Sequence, residues 1–438
     1  MFKRSDSFNI HALLYGLVVL VVITGTIRLL ATGHGGSHSK RQLTFWNGFT
    51  GPDGVVMLKM IEDFNRLNPD VEVRMQRIPW ATYYNKLTVA GSDGRGPEIF
   101  ISHADALARI RRAGFVDDAS DLFTGSNPID PKDFDQKVRE YVCYSGKFQG
   151  VPLDIHPQGM YCDVDMFRKA GLVDENGNAK LPANKEEFLN ALQKTTVEAG
   201  GELSEKQWGF ALTFWGANFR SLVPQFGGDF LDSKGNAVMN SPANIKALEF
   251  VAELTKSKKV PPPDNGLGWF GFRTKRVAMV WDGVFMLGDL LRVQDVKYAG
   301  APIPQIGPRP GTVANSHVMC LKKGMPPEVR EAAVRFIKYV SDHSIEWAAA
   351  GQVPARLSVR GNPAFAKLQV QHAFSLQVPN MVYPPKTPVI FEYMLAMDQA
   401  AEAAVRGLAS PKEALDKAQK IAQDAIDRDR KEHPEDQQ

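Results

Sequence analysis

Trp46 and Asn47 stand where a short apolar segment gives way to a glycine-rich turn, in the stretch FWNGFTGPDG (45–54). An indole ring stacks on the apolar face of a ligand, and a carboxamide both donates and accepts hydrogen bonds. Gly48 lets the backbone approach a bound molecule closely. The same residues are compatible with a buried tryptophan followed by a turn and a helix cap. The stretch predicts a binding site only if the elements around it form a cleft.

Sequence motifs for catalysis do not point to an enzyme. The chain has no G-x-S-x-G, H-E-x-x-H or Walker motif. The histidines are scattered, and we expect His34 and His38 to be solvated rather than bound to metal. Acidic residues are numerous enough that counting alone leaves a glycosidase-like pair open. The pattern favours binding without chemistry, and neither a cofactor nor a metal is expected.

Composition sets the broad class. A chain of 438 residues accommodates two or three domains, and 44% apolar with 23% charged residues is typical of a globular protein. The net charge of +3 is spread along the chain, which argues against a nucleic-acid partner. Three cysteines, Cys143, Cys162 and Cys320, are too few for a disulfide scaffold or a four-cysteine zinc site. One bridge, such as Cys143 to Cys162, stays open.

The N-terminus has the layout of an export signal. The basic MFKR precedes an uncharged apolar run at 12–27, which Arg28 ends. Ala31 and Gly33 offer a small-residue cleavage site. The run falls slightly short of the roughly 20 residues that span a bilayer, so cleaved signal and retained anchor both stay open. Because no cysteine precedes Cys143, we expect no lipidated N-terminal cysteine. Either alternative places the protein in the periplasm or on the outer face of the cytoplasmic membrane.

Strand and helix patterns alternate after the spacer at 31–41. The chain passes from LTFW (43–46) to a helical pattern at 55–67, and from VEVRMQRI (71–78) to another at 80–91. The alternation begins again near Gly150, and helical patterns dominate the C-terminal part. This order predicts an α/β fold of two lobes, each built on a mostly parallel sheet.

The order of motifs resembles the extracytoplasmic solute-binding proteins of ABC importers. The resemblance is to the sugar-binding class that includes the maltose-binding proteins (family 1), and it extends from about Leu43 to Ile426. Cys162 stands where this family usually has asparagine, and the usual lipobox cysteine is absent. The matching stretches are FWNGF, IEDFNRLNPDVEV, GPEIF, GKFQGVP, GMYCDVDMFRKAGL, FGGDFLD, VAMVWDG, EAAVRFIKYVSD, GQVPARLS and SPKEALDKAQ.

The resemblance implies a class II periplasmic-binding-protein fold, in which two lobes close on a ligand by hinge bending, the "Venus flytrap". Segments near 151–156, 303–311 and 351–356 would cross between the lobes. The expected division is a signal or anchor with spacer at 1–40, lobe I at 41–152 and 312–352, lobe II at 153–311 and 353–430, and a charged tail at 431–438.

A sugar presents apolar C–H faces, which suit aromatic rings, and a rim of hydroxyls, which suit Asp, Asn and Arg side chains. Leaving such a buried polar group unsatisfied costs about 1–3 kcal/mol, so hydrogen bonds would give selectivity. The candidate ligand-binding residues lie at strand ends and in loops. They are Trp46, Asn47, Trp80, Tyr83, His103, Asp105, Asp154, His156, Trp215, Gly227, Gly228, Asp229, Trp281, Asp282, His317 and Arg356.

Structural roles compete at several of these positions. Trp80 and Tyr83 would equally serve core packing, and Asp105 would equally cap a helix. Asp154 and His156 would form a hinge hydrogen-bond network if they do not bind ligand. The glycine pair at 227–228 is compatible with a simple turn, and Arg356 with a salt bridge between the lobes.

The resemblance therefore implies a carbohydrate receptor that delivers its ligand to the membrane subunits of an ABC importer. We expect a monomer that contacts the membrane only through its N-terminal segment. One alternative is the same receptor role for another small polar solute, such as a glycerol-phosphate or a polyamine. Another is a membrane-anchored carbohydrate-active enzyme.

Overall fold

The computed structural model describes residues 40–125, 127–200, 205–263 and 266–434. Within these ranges, no helix combines the length and the apolar character needed to cross a membrane. The apolar run at 12–27 lies outside the described residues, so the alternatives of cleaved signal and retained anchor stay predictions.

Fourteen strands and seventeen α-helices are assigned in the described residues. The strands are β1 (Arg41–Asn47), β2 (Val71–Arg77), β3 (Ile99–His103), β4 (Cys143–Tyr144), β5 (Lys147–Phe148), β6 (Val151–Pro152), β7 (Asp154–Asp163), β8 (Ala211–Leu212), β9 (Met279–Gly283), β10 (Tyr298–Ala301), β11 (Thr312–Asn315), β12 (His317–Leu321), β13 (Val353–Pro354) and β14 (Met381–Val382).

The helices alternate with these strands in the first two thirds of the chain and predominate after them. They are α1 (Pro52–Leu67), α2 (Trp80–Ser92), α3 (Leu107–Arg112), α4 (Gln136–Tyr141), α5 (Val164–Lys169), α6 (Lys185–Thr195), α7 (Trp215–Leu222), α8 (Pro242–Lys256), α9 (Gly268–Arg273), α10 (Leu287–Leu290), α11 (Pro327–Asp342), α12 (Ser344–Ala349), α13 (Leu357–Arg360), α14 (Pro363–Ala366), α15 (Gln369–Ser375), α16 (Ile390–Val405) and α17 (Pro411–Glu432).

The first lobe is built on a five-stranded sheet in the order β2-β1-β3-β12-β6. Strands β1, β2 and β3 are parallel, as the alternating sequence pattern predicts, whereas β12 and β6 are antiparallel to their neighbours. Leu43 and Phe45 of β1 are fully buried, and α1 packs against this side with the buried side chains Met60 and Phe64. The spacing of apolar residues in α1 therefore supplies one face of this core.

The second lobe is built on a seven-stranded sheet with β7 near its centre. All ten residues of β7 are buried. Met160 and Cys162 lie in the larger core of this lobe, whereas Tyr161 lies in a separate core on the other face of the sheet. This alternation is the period of two expected for a strand that is covered on both faces.

The lobes are joined where β7, β11 and β13 lie side by side. Residue Ile155 pairs with Val353, and His156 pairs with Asn315. The chain enters β7 directly after β6 of the first sheet, and it leaves β11 for β12 of the first sheet at Ser316. Two of the three expected crossings, near 151–156 and 351–356, thus lie at this junction.

The middle crossing differs from the expectation. It lies at Asn315–His317 rather than at 303–311, which stays on the second lobe. The reason is Gln225, whose side chain donates to the carbonyls of Pro304 and Gly311 at 3.1 and 3.0 Å and accepts from the amide of Ile306 at 2.6 Å. These bonds fasten the proline-rich connector to its own lobe.

The C-terminal part divides between the lobes. Tyr393 and Met397 of α16 pack in the second lobe, as expected for 353–430, but Val378 and Met381 pack in the core of the first lobe. All three cysteines are free, so the bridge between Cys143 and Cys162 left open by the sequence is not formed.

Candidate functional site

A cleft of 570 Å³ lies between the two lobes. Its floor is the junction strands, and its walls are loops and helix ends from both sheets. From the first lobe it is lined by Gly48, Asp53, Trp80, His103, Asp105 and His317, from the junction by His156, Gln158, Asn315 and Gln352, and from the second lobe by Ala217, Arg220, Phe285, Met286 and Asp289, among others.

Trp80 forms the aromatic wall of the first lobe. It begins α2, and its ring lies 4.2 Å from the ring of His103 and is stacked on His317 at 5.8 Å, measured between centroids. A Cβ atom at Gly48 would lie 2.1 Å from the indole, so only glycine fits beside this ring. The glycine-rich turn after β1 therefore makes room for Trp80.

Three histidines meet on the floor of the cleft. His103 ends β3 and pairs across strands with His317, which begins β12, and His156 lies on β7. The ring of His156 is stacked on that of His317 at 4.5 Å. Burial lowers the pKa of His156 to about 4, with Asp154 opposing and His317 adding to the shift. Burial also lowers the pKa of His103. Both imidazoles are therefore neutral near pH 7.

Asp154 holds His317 from behind. Its carboxylate accepts from the backbone amide of His317 at 2.8 Å, is 2.7 Å from His317 Nδ1, and accepts from Trp347 Nε1 at 2.7 Å. Burial opposes the ionisation of Asp154, but the charge and hydrogen bonds of His317, assisted by His156, outweigh it and lower its pKa to about 2. Asp154 is fully buried, so it orients the floor of the cleft from beneath.

The wall of the second lobe combines a phenyl ring with an ion pair. Phe285 is 39% exposed and faces the cavity. Arg220 on α7 is largely buried and pairs with Asp398 of α16. Beyond these two residues the cleft continues into a second cavity of 490 Å³, which shares Gln158, Arg220 and Phe285 with the first and reaches Trp215. The site is therefore an elongated groove with rings along its length.

The fold and the sequence agree with a known family. A family model described as bacterial extracellular solute-binding protein matches residues 50–345. The chain belongs to this family. Extracellular solute binding is thus its class of activity, and the family places it outside the cytoplasm.

Individual relatives of this solute-binding protein are distant. It is 24% identical to an arabinooligosaccharide-binding protein of Bacillus subtilis over 363 residues, which are 78% of this chain and 80% of the relative. It is 22% identical to a maltotriose-binding protein of Pyrococcus abyssi over 362 residues, 79% of this chain and 74% of the relative. An ABC substrate-binding protein of Listeria monocytogenes, solved in complex with cycloalternan, superimposes with a TM-score of 0.75 at 19% identity, covering 89% of this chain and 99% of that one. This likeness confirms the two-lobed periplasmic-binding-protein fold.

Five of the sequence-based candidates line the cleft of this solute-binding protein, and Asp154 lies directly beneath them. The tyrosine hydroxyl at position 84 lies 2.7 Å from His103 Nδ1 and so orients that ring from outside the cavity. The five that line the cavity are Trp80, His103, Asp105, His156 and His317.

Three candidates at the end of β1 and in α2 lie in the interior instead. Trp46 is only 7% exposed and packs in the first lobe. Asn47 is buried and accepts a hydrogen bond from the amide of Phe49 at 3.1 Å, which closes the turn. Tyr83 is fully buried and donates to the carbonyl of Ile101 at 2.6 Å. The alternative of a core tryptophan followed by a turn, left open by the sequence, is the arrangement observed.

Trp281 is likewise a core residue. It has no exposed surface, and its ring lies 5.1 Å from Phe188 and 5.0 Å from Phe210. We expected Trp281 to face the cleft because it lies at the end of a strand. Because β9 is covered on both faces, its side chains point into the two cores of the second lobe and not into the cleft.

The loop candidates of the second lobe also lie off the main cleft. Gly227 has a φ of 83° and turns the chain after a short helical segment, and Gly228 abuts Asn244. The Asp229 carboxylate accepts from the amide of Phe230 at 2.7 Å. Asp282 lies beside a separate cavity of 260 Å³, which it lines together with Trp215. These residues shape the second lobe.

Arg356 pairs with Asp133 at 2.6 Å and with Asp342. Arg356 thus forms a salt bridge, and both of its partners belong to the first lobe. The expectation that this bridge ties the two lobes together stays a prediction. Arg356 does not line any of the three cavities described here.

Sequence reasoning missed Asp53, Gln158, Arg220, Phe285 and Asn315. Two of them carried a usable pattern: Gln158 follows His156 at the period of two in β7, and Asn315 ends β11 two residues before His317 begins β12. Arg220 and Phe285 sit within helical segments of the second lobe, where only the tertiary fold shows which side faces the first lobe.

Proposed function

We propose that this protein captures a sugar or oligosaccharide in the cleft between its lobes and delivers it to the permease of an ABC importer. The observation that carries this proposal is the pairing of Trp80 on one wall with Phe285 on the other, above a floor of polar side chains. Aromatic faces bury the C–H surface of a pyranose or furanose, and the histidine, glutamine and asparagine groups between them satisfy its hydroxyls.

The length of the groove favours an oligosaccharide over a monosaccharide. The second cavity continues from Phe285 to Trp215, whose ring is covered on one side by the guanidinium of Arg406 at 5.0 Å. A further sugar unit would stack on this indole. Relatives named for arabinooligosaccharide and maltotriose agree with an extended ligand.

The lobes would close by hinge bending around the three strands that lie side by side at the junction. The proposed lobe I consists of 41–152 and 316–352, and the proposed lobe II of 153–315 and 353–430, because β11 pairs within the sheet of lobe II. Val378 and Met381 contribute to the core of lobe I. The closed form would be the one that the permease recognises.

A polyamine is the second candidate ligand. The cleft is lined by the carboxylates of Asp53, Asp105 and Asp289 and by a single arginine, Arg220, which already pairs with Asp398. This balance favours a cation over a phosphate ester. It supports the amine less than a sugar, because Asp289 already accepts from Trp269 Nε1 at 2.8 Å.

Calorimetric titration with a panel of mono- and oligosaccharides, spermidine and glycerol 3-phosphate tests the proposal. We expect at least one oligosaccharide to bind in the micromolar range or tighter, and the same ligand to raise the melting temperature. Binding of spermidine alone would establish the second candidate, and binding of none of the panel would contradict both.

Replacing Trp80 with alanine is expected to weaken binding of the responding sugar by about 10- to 100-fold, because a stacked face worth roughly 1.5–3 kcal/mol is lost. Trp80→Phe should keep most of the affinity. Trp208→Ala is the matched control: this tryptophan is also half-buried but lines none of the cavities described here. Equal affinities of wild type and Trp80→Ala would remove Trp80 from the site.

Chromogenic glycosides test the remaining alternative, a carbohydrate-active enzyme. We expect no turnover above the buffer rate. Sustained release of the chromophore, abolished by a substitution in the cleft, would contradict the proposal.

A further inference from the structure

The geometry points to a divalent transition-metal site on the floor of the cleft, formed by His103, His156 and His317. One potential ligand atom of each histidine lies within 4.8 Å of those of the other two. All three side chains line the same cavity. This site lies beyond sugar binding by rings and hydroxyl partners, and the sequence did not predict it because the histidines are far apart along the chain.

The spacing requires only small movements. Two nitrogens bound to one zinc ion lie roughly 3.4 Å apart, given Zn–N distances of about 2.0–2.1 Å in a tetrahedral site. Starting from a separation of at most 4.8 Å, each ring needs to shift by about 1 Å or less. The rings of His156 and His317 are stacked with their planes 15° apart, so these two rings must also tilt for their nitrogens to converge on one ion.

Two of the three rings already have the outer partners that metal-binding histidines require. Nδ1 of His317 faces the carboxylate of Asp154 at 2.7 Å, and Nδ1 of His103 faces the hydroxyl of Tyr84 at 2.7 Å. A carboxylate or hydroxyl that holds one ring nitrogen leaves Nε2 available as the ligand and fixes the orientation of the ring.

The third ring has an unused nitrogen. Nε2 of His156 is buried and has no hydrogen-bond partner among the described residues, and His156 as a whole is only 8% exposed. A buried polar atom without a partner costs free energy, and a metal ion would supply that partner. This is an independent indication that something binds between the three rings.

Three imidazoles select for zinc and its neighbours over magnesium or calcium, which prefer oxygen ligands. Three protein ligands leave a fourth position, and here it faces the cavity, as in open zinc sites. If the proposed function is correct, that position is available to an oxygen of the bound ligand. The metal site itself does not depend on the identity of the ligand.

The test uses the full chain without an affinity tag and titrates the metal alone, with no sugar present. We expect one equivalent of Zn²⁺ to bind, and Co²⁺ to give the visible absorption of a four-coordinate site at the same stoichiometry. Mg²⁺ and Ca²⁺ should give no signal. Absence of Zn²⁺ binding at micromolar concentrations would overturn the inference, whatever the outcome of the sugar panel.

His156→Gln and His103→Gln should each weaken Zn²⁺ binding by on the order of 100-fold or more and remove the Co²⁺ spectrum. His372→Gln, on the exposed side of α15, and the double change His34→Gln/His38→Gln should leave both unchanged. Circular dichroism shows whether each variant is folded. Folded His156→Gln and His103→Gln proteins that bind Zn²⁺ like the wild type would overturn the site.

Tyr84→Phe tests the outer partner. Tyr84 does not line the cavity, and its loss should weaken Zn²⁺ binding by roughly 10- to 100-fold while one equivalent still binds at saturation. An unchanged affinity and Co²⁺ spectrum would show that Tyr84 does not position His103 for a metal.

Discussion

Trp281→Ala is expected to lower the free energy of unfolding by about 3–5 kcal/mol, the range observed when a large buried ring is truncated. The indole is fully buried between Phe188 and Phe210 in the core of the second lobe. Its backbone carbonyl accepts from Thr213 Oγ1 at 2.6 Å, so a shift of β9 into the vacated space would strain that bond. Chemical denaturation followed by circular dichroism measures the loss.

The affinity for ligand, in contrast to the stability, should be almost unchanged. Since Trp281 does not line the cleft, the folded fraction of Trp281→Ala should bind the responding ligand within about twofold of wild type. Trp80→Ala is the matched variant, with a large loss of affinity and a smaller loss of stability. A Trp281→Ala protein of wild-type stability and reduced affinity would contradict the placement of this residue.

The contrast between Trp80 and Trp281 shows what a single sequence can predict. Trp80 follows a strand pattern, and Trp281 ends one. Strand and helix order predicted the α/β fold, since periodicity is a local property. The face of β9 that carries Trp281 is covered by helices that are distant in the sequence, including α6 and α16, and local patterns do not contain that information.

The three histidines on the floor of the cleft also show what a single sequence cannot predict. His103, His156 and His317 were each identified singly, because they follow or begin strand patterns. Their meeting depends on the antiparallel register that places His317 opposite His103, and on β11 pairing with β7. The alternation of strand and helix patterns indicated parallel strands, and the resemblance to a family indicated crossing segments, but neither indicated this register. The sequence therefore contained the members of the cluster, and the fold alone brings them together.

Asp282 is a buried acid at the end of β9 whose environment penalises its charge. Its side chain is fully buried, Oδ1 accepts from the amide of Gly283 at 2.7 Å, and Oδ2 has no partner within the described residues. Burial raises its pKa to about 7, and the hydrogen bond from Gly283 offsets only part of this effect. The folded protein thus holds a proton on Asp282 that the unfolded chain releases near pH 4.

This difference makes stability fall as the pH rises from about 4 to about 7, because the folded state binds more protons than the unfolded state in that window. The stabilisation is complete below the ordinary aspartate pKa and is lost as the pH passes the raised value. About three pKa units correspond to a loss of roughly 4 kcal/mol.

Asp282→Asn, which is neutral at every pH, should remove this dependence of stability on pH and be the more stable protein at pH 8. Denaturation midpoints of both proteins at pH 5 and pH 8 measure the effect, with Asp342→Asn, on the exposed partner of Arg356, as the control. Parallel pH profiles for wild type and Asp282→Asn would mean that Asp282 is charged in the folded protein, and that the interior beside β9 is more polar than its neighbours indicate.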